Sequence, residues 1–146
     1  MASDVSLSGA ESAGPSPGGQ VRRLRLLGVP GQVSRGREFT RRALDDWHAQ
    51  DCDDVLLLVS ELLANAVLHA GGARELLLHA VPARLRIEVT DASPNLPRPR
   101  APQAAGLPGG HGLTIVAKLA DRWGADPRED GKSVWLEIDT PFRAAR

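Results

Sequence analysis

Glu61, Asn65 and His69 stand four residues apart in "ELLANAVLHA", inside the apolar run "DVLLLVSELLANAVLHA". Steps of four align side chains along one helix face, and Leu57 extends the same line. A carboxylate so placed can take the proton of an attacking hydroxyl or water. A neutral amide oxygen beside it suits a hard cation such as magnesium. On a helix headed for the core, both groups are costly unless something binds them. Two further segments offer matching chemistry. Asp91 closes "RLRIEVTD" with the same parity as Leu85, Ile87 and Val89, so it points toward the covered side of a sheet. A carboxylate in an apolar wall can accept a hydrogen bond from the amino group of adenine. "GGHGL", 109–113, opens a helix with glycines, where free backbone N–H groups and the helix dipole favour phosphate. It fits neither the P-loop, which needs Lys-Ser/Thr, nor the dinucleotide fingerprint, since Ile115 replaces the third glycine. Together the three segments suggest a nucleotide site.

The elements that must position these groups follow from periodicity and breakers. "VRRLRLLGV" reads as a partly exposed strand broken by Pro30 and Gly31. From Gln32 to about Gln50, the residues Val33, Phe39, Ala43, Leu44 and Trp47 recur at helical spacing. Asp51 or Asp53 is the expected N-cap of the next helix, which stops at Ala70-Gly71-Gly72; a histidine at that end, His69, is favoured by the dipole. "RELLLHAV" and "RLRIEVTD" are strands. Residues 92–110 follow, a stretch with five prolines and three glycines and no periodicity, expected as a link or a functional lid. "HGLTIVAKLADRWG" reads as a helix, and "KSVWLEI" as a final strand after an Asp130-Gly131 turn. The three tryptophans, Trp47, Trp123 and Trp135, are expected in the core or packed on the sheet. The order β-α-α-β-β-loop-α-β predicts an α/β two-layer sandwich, a mixed, mainly antiparallel sheet with helices on one face. Residues 1–20, rich in Ser, Gly, Ala and Pro, read as a disordered tail, 21–140 as the domain, and 141–146 as a C-terminal tail.

Composition bounds the function classes. The chain has 146 residues, enough for one domain with its own core. Lys plus Arg and Asp plus Glu are 18 each, so net charge argues for neither nucleic acid nor an acidic membrane surface. Seven arginines lie between Arg22 and Arg42, with Glu38 the only acid among them; they form a solvated face or a contact surface for an acidic partner or second subunit. The lone Cys52 excludes an intrachain disulfide and suits a reducing compartment. The start lacks the pattern of a signal peptide and no apolar run reaches bilayer length, so a cytoplasmic protein is expected.

At the level of motifs the chain resembles the GHKL ATPases, which share the ATP-binding fold of histidine kinases and gyrase. "SELLANAVLHA" resembles the N box, which implies that Asn65 binds magnesium and Glu61 is the catalytic base. "VTDASPN" stands where the first glycine box belongs, implying that Asp91 contacts adenine with Ser93 nearby. "GGHGL" resembles the second glycine box, implying a role for Gly110, His111, Gly112 and Leu113 at the phosphates. "GKSVWLEI" resembles the closing strand and implies that Ser133 is a hydroxyl residue near adenine. The first glycine box departs from D-x-G-x-G, with Ser93 and Asn95 at its glycine positions. Within the superfamily, "NAVLHA" and "LADRWG" are most similar to the small anti-sigma-factor serine/threonine kinases of actinobacteria. That resemblance implies ATP and Mg2+ as cofactors, and a sigma factor and an anti-sigma-factor antagonist as partners, with a homodimer among the expected assemblies. A second expectation, of a different class, is a non-catalytic partner-binding switch on a degenerate ATPase fold.

Overall fold

The computed structural model describes residues 15–50, 52–96, 112–139 and 141–142. The elements are β1 (Gln20–Arg25), α1 (Gln32–Asp46), α2 (Cys52–Ala70), β2 (Ala73–Val81), β3 (Arg84–Asp91), α3 (Gly112–Leu119), β4 (Arg122–Arg128) and β5 (Gly131–Asp139). The five strands form one sheet in the order β1-β2-β3-β5-β4. Every neighbouring pair is antiparallel. The expected two-layer sandwich is therefore present, with a wholly antiparallel sheet in place of a mixed one. No helix among the described residues is long and apolar enough to cross a membrane.

Alternation along the strands decides which face is covered. Leu76, Leu78 and Ala80 of β2, Leu85, Ile87 and Val89 of β3, and Val134 and Leu136 of β5 are buried on one face. Against them α2 packs Val55, Leu58, Val59, Leu62, Leu63 and Ala66. Each such side chain contributes about 1.5–3 kcal/mol relative to exposure, so α2 is the main brace of the sheet. It lies over β2 and β3, flanked by α1 on one side and α3 on the other. Helix α1 can come close because Gly36 has no side chain; a Cβ there would lie 2.2 Å from Leu63 Cδ1.

Polar clips fix the ends. The buried side-chain amide of Gln32 donates to the carbonyls of Leu26 (2.8 Å) and Ala73 (3.0 Å), and its oxygen accepts from Ala73 N–H at 2.8 Å. It ties the exit of β1 to the start of β2. Of the arginines between Arg22 and Arg42, Arg22 pairs with Asp46, Arg23 with Glu75, Arg41 and Arg42 with Glu38, and Arg37 donates to Ser60 Oγ. Four of the seven arginines thus meet three acids, Glu38 serving two of them, and the cluster keeps a positive surplus.

Two expectations need correction. "LADRWG" is not the end of a helix: α3 stops at Leu119, and Arg122–Arg128 is the edge strand β4. Six residues are too few for periodicity to separate helix from strand, and pairing with β5 decides. Trp123 and Ala125 face Leu136 and Val134 on the covered side. Arg122 on the open side meets Glu137 and Asp139. Pro127, lacking an N–H, is tolerated because β4 is an edge. Nor is the chain after β5 only a tail. Pro141 O accepts from Gln50 N–H at 2.7 Å, Phe142 bridges to Ala49, and its ring meets Trp47 edge-on at 6.0 Å. Burial of these two large rings holds the segment against the turn between α1 and α2.

Candidate functional site

Helix α2 keeps its apolar side toward the sheet, and the line Leu57–Glu61–Asn65–His69 runs along its flank. Leu57 is 36% exposed, Glu61 and Asn65 are half-buried, and His69 is exposed. The polar pair is therefore not sunk in the core, as its apolar neighbours suggested, but lies at the margin where water or a ligand can reach it. Among the described residues neither side chain has a hydrogen-bond or ion-pair partner. Both remain available, Glu61 as a proton acceptor and Asn65 as a neutral oxygen ligand. Asp53 and Asp54 occupy the first turn, where they complement the dipole. Asp51 lies outside the described residues.

Asp91 stands at the end of β3 on the covered face and is only 2% exposed. Its Oδ1 accepts from the N–H of Ser93 at 2.9 Å and from Lys132 Nζ at 3.0 Å. The hydroxyl of Ser93 in turn accepts from Asn95 N–H at 3.2 Å. Residues 91–95 thus form two successive side-chain-closed turns, to which Ser93 contributes its hydroxyl and Asn95 its backbone N–H. Gly131, opening β5, is sterically required: a Cβ would lie 1.9 Å from the carbonyl oxygen of Asp91.

Lys132 was not anticipated from the sequence. It is paired across the sheet with Asp91 and is 4% exposed. It also donates to the Ser93 carbonyl at 3.4 Å. The signal was present in the parity of "GKSVWLEI": Lys132 alternates with Val134 and Leu136, and so shares their face. The same parity takes Ser133 to the other side. Its neighbour across the sheet is Thr90, and its hydroxyl donates to Glu88 Oε1 at 3.0 Å on the open face. Ser133 is not brought to Asp91; Lys132 holds that position.

The remaining expected residues divide. Gly110 and His111 lie outside the described residues. Gly112 begins α3. Leu113 is 5% exposed and, like Val116, turns inward as a packing residue. No group of three or more His, Cys, Asp or Glu side chains able to hold a metal occurs among the described residues. A magnesium ion here would draw one oxygen from Asn65 and the rest from phosphate and water, which its chemistry favours.

The open face of the sheet carries charge rather than a second core. Arg86 bridges Glu88 (2.7 Å) and Glu137 (3.0 Å), and Arg122 reaches Glu137 at 2.8 Å and Asp139. Burial opposes ionisation of Glu88, yet hydrogen bonds from Arg86 and Ser133 and the charges of Arg86 and Arg128 hold its carboxyl below the ordinary value. Glu137 is lowered chiefly by its hydrogen bond from Arg122, against some burial. The Arg86 guanidinium lies 4.3 Å from the centre of the Trp135 ring, while Gly124 leaves room for that indole on β4. A cavity of ≈ 390 Å³ opens beside this lattice, lined by Arg23, Glu75, Glu88, Thr90 and Arg128 and also by Asp91 and Lys132. Glu61 and Asn65 are absent from its walls.

A family model described as the histidine kinase-like ATPase domain matches residues 29–138. Among solved structures, the chain is similar to a histidine kinase domain from the blue-light activated histidine kinase of Erythrobacter litoralis EL346. Identity is 24% and the TM-score 0.41, over 61% of this chain and 44% of that one, so the chain spans less than half of that structure. It is also similar to the histidine kinase AdeS of Acinetobacter baumannii, at 16% identity and TM-score 0.45, over 83% of this chain and 68% of that one. Comparison with curated proteins returns no match.

Proposed function

From the premise that the chain belongs to the histidine kinase-like ATPase domain family, we propose that it is an ATP-binding anti-sigma factor and a serine/threonine kinase acting on an anti-sigma-factor antagonist. The observation that carries the nucleotide part is the pairing of two features on one side of the sheet. Among the described residues, a buried carboxylate ends β3 with one oxygen unpartnered, and α2, which lies over that strand, offers Glu61 and Asn65 without partners. Asp91 would hold the amino group of adenine, and Asn65 would hold magnesium, which neutralises phosphate charge. Glu61 takes the proton of the target hydroxyl as that oxygen bonds to the terminal phosphorus and the bond to ADP breaks. The protein partners rest on the resemblance of "NAVLHA" and "LADRWG" alone.

Titration of the purified chain with ATP by calorimetry, with and without magnesium, tests this reading together with Asn65→Ala and Asp91→Asn. Magnesium-dependent binding that is lost in both variants supports the pocket. Binding unchanged in both would place the nucleotide elsewhere, and none up to millimolar ATP would remove the nucleotide role.

One observation favours a second reading, a partner-binding switch without catalysis. Lys132 already engages Asp91, and Ser93 and Asn95 stand where the resemblance calls for glycine. Capture of a partner without transfer of labelled phosphate would support the switch and contradict the kinase.

A further inference from the structure

The buried pair at the end of β3 and β5 has unspent hydrogen-bonding capacity. Lys132 Nζ carries three N–H bonds and has two partners, Asp91 Oδ1 and the Ser93 carbonyl. Asp91 has both of its contacts on Oδ1, which leaves Oδ2 without a partner among the described residues. The only fully enclosed side-chain polar atom lacking a partner among the described residues is Trp135 Nε1, so Oδ2 is not sealed off. A free acceptor and a free donor thus stand side by side on two groups 3.0 Å apart, in side chains 2% and 4% exposed.

We infer that Lys132 is a base-reading residue: with the exocyclic amino group of adenine on Asp91, the Lys132 ammonium donates to the adjacent ring nitrogen, N1. The inference rests on the nucleotide reading above and adds to it the residue that recognises the second position of the base. Adenine presents a donor beside an acceptor, the complement of Asp91 beside Lys132. Hypoxanthine presents a carbonyl and an N–H in the same two places and mismatches both. The site is built rather than incidental. Lysine pays a large desolvation penalty when buried, and the backbone at Gly131 is pressed against Asp91 to bring it there.

The full chain is titrated by calorimetry with magnesium and ATP, 1-deaza-ATP, which lacks the N1 acceptor, or inosine triphosphate. Wild type is expected to bind 1-deaza-ATP roughly 10- to 100-fold more weakly than ATP, the worth of a hydrogen bond from a charged donor. Inosine triphosphate should bind more weakly still. In Lys132→Met, ATP and 1-deaza-ATP should bind alike, an effect that mere neutralisation of Asp91 would not produce. Should that variant fail to fold, Lys132→Arg, which keeps the charge beside Asp91 but moves its donors, is expected to change the ratio of ATP to 1-deaza-ATP binding. An unchanged ratio overturns the role of Lys132. Equal binding of ATP and 1-deaza-ATP, or inosine triphosphate matching ATP, overturns the role of Lys132 and leaves the nucleotide site standing. Absence of ATP binding overturns both.

Discussion

Lys132 Nζ lies 3.0 Å from Asp91 Oδ1, and the two residues face each other across β3 and β5 with almost no contact with solvent. Two charges taken out of water hold each other only while both are present. Lys132→Met should therefore cost about 3–5 kcal/mol, the penalty of an unpaired buried carboxylate, whereas the double change Asp91→Leu/Lys132→Met should recover most of it. Urea denaturation of the three proteins measures this. A single variant as stable as wild type would mean that water reaches Asp91 freely.

Glu61→Ala should abolish phosphate transfer to a protein substrate while leaving ATP affinity nearly unchanged. Stability should stay within about 0.5 kcal/mol, because the side chain is half-exposed and has no partner to lose among the described residues. Transfer assays and calorimetry on one preparation separate the effects. Loss of ATP binding in a folded variant would sink the assignment of Glu61 as base.

The open-face lattice predicts the acid limb of stability. The carboxyls of Glu88 and Glu137 lie below their ordinary value of 4.5 in the fold. A lowered folded value stabilises above the unfolded value, and that contribution is lost as pH falls through the folded one. Melting temperature should hold from neutrality to about the unfolded value and then fall. Glu88→Gln should flatten this limb. An identical acid limb in the variant would show that Glu88 carries none of the linkage.

Gly131→Ala and Gly36→Ala should differ in severity. At Gly131 the new Cβ would lie 1.9 Å from a backbone oxygen, which cannot move without separating β3 from β5. At Gly36 it meets the end of the Leu63 side chain, which can turn. Overpacking there costs about 1–3 kcal/mol, partly offset by about 1 kcal/mol of helix propensity. Equal midpoints for the two variants would contradict this ranking.

Gln32→Leu should destabilise the chain by about 1–3 kcal/mol, because it leaves the carbonyls of Leu26 and Ala73 and the N–H of Ala73 short of a partner. Hydrogen exchange at Ala73 N–H should rise with it. Unchanged protection there would show that water replaces the amide without cost.

What the sequence determined by itself was everything carried by local period and punctuation. The strict alternation of "RLRIEVTD" placed Asp91 on the covered face, and the run from Asp54 to Ala70 followed by two glycines specified α2. These signals are properties of consecutive residues, and the fold keeps them. Tertiary structure alone decided what depends on a partner distant along the chain. The "RWG" of "LADRWG" became strand because β5 had an unpaired edge. Phe142 returned because Trp47 offered a ring to pack on. Glu61 and Asn65 stayed at a margin because α1 and α3 flank α2 without covering that stripe. Above all, cross-strand register set Lys132, not Ser133, opposite Asp91. One residue of register exchanges the two faces of a strand, so the identity of the group beside Asp91 is settled by pairing, where local sequence has no say.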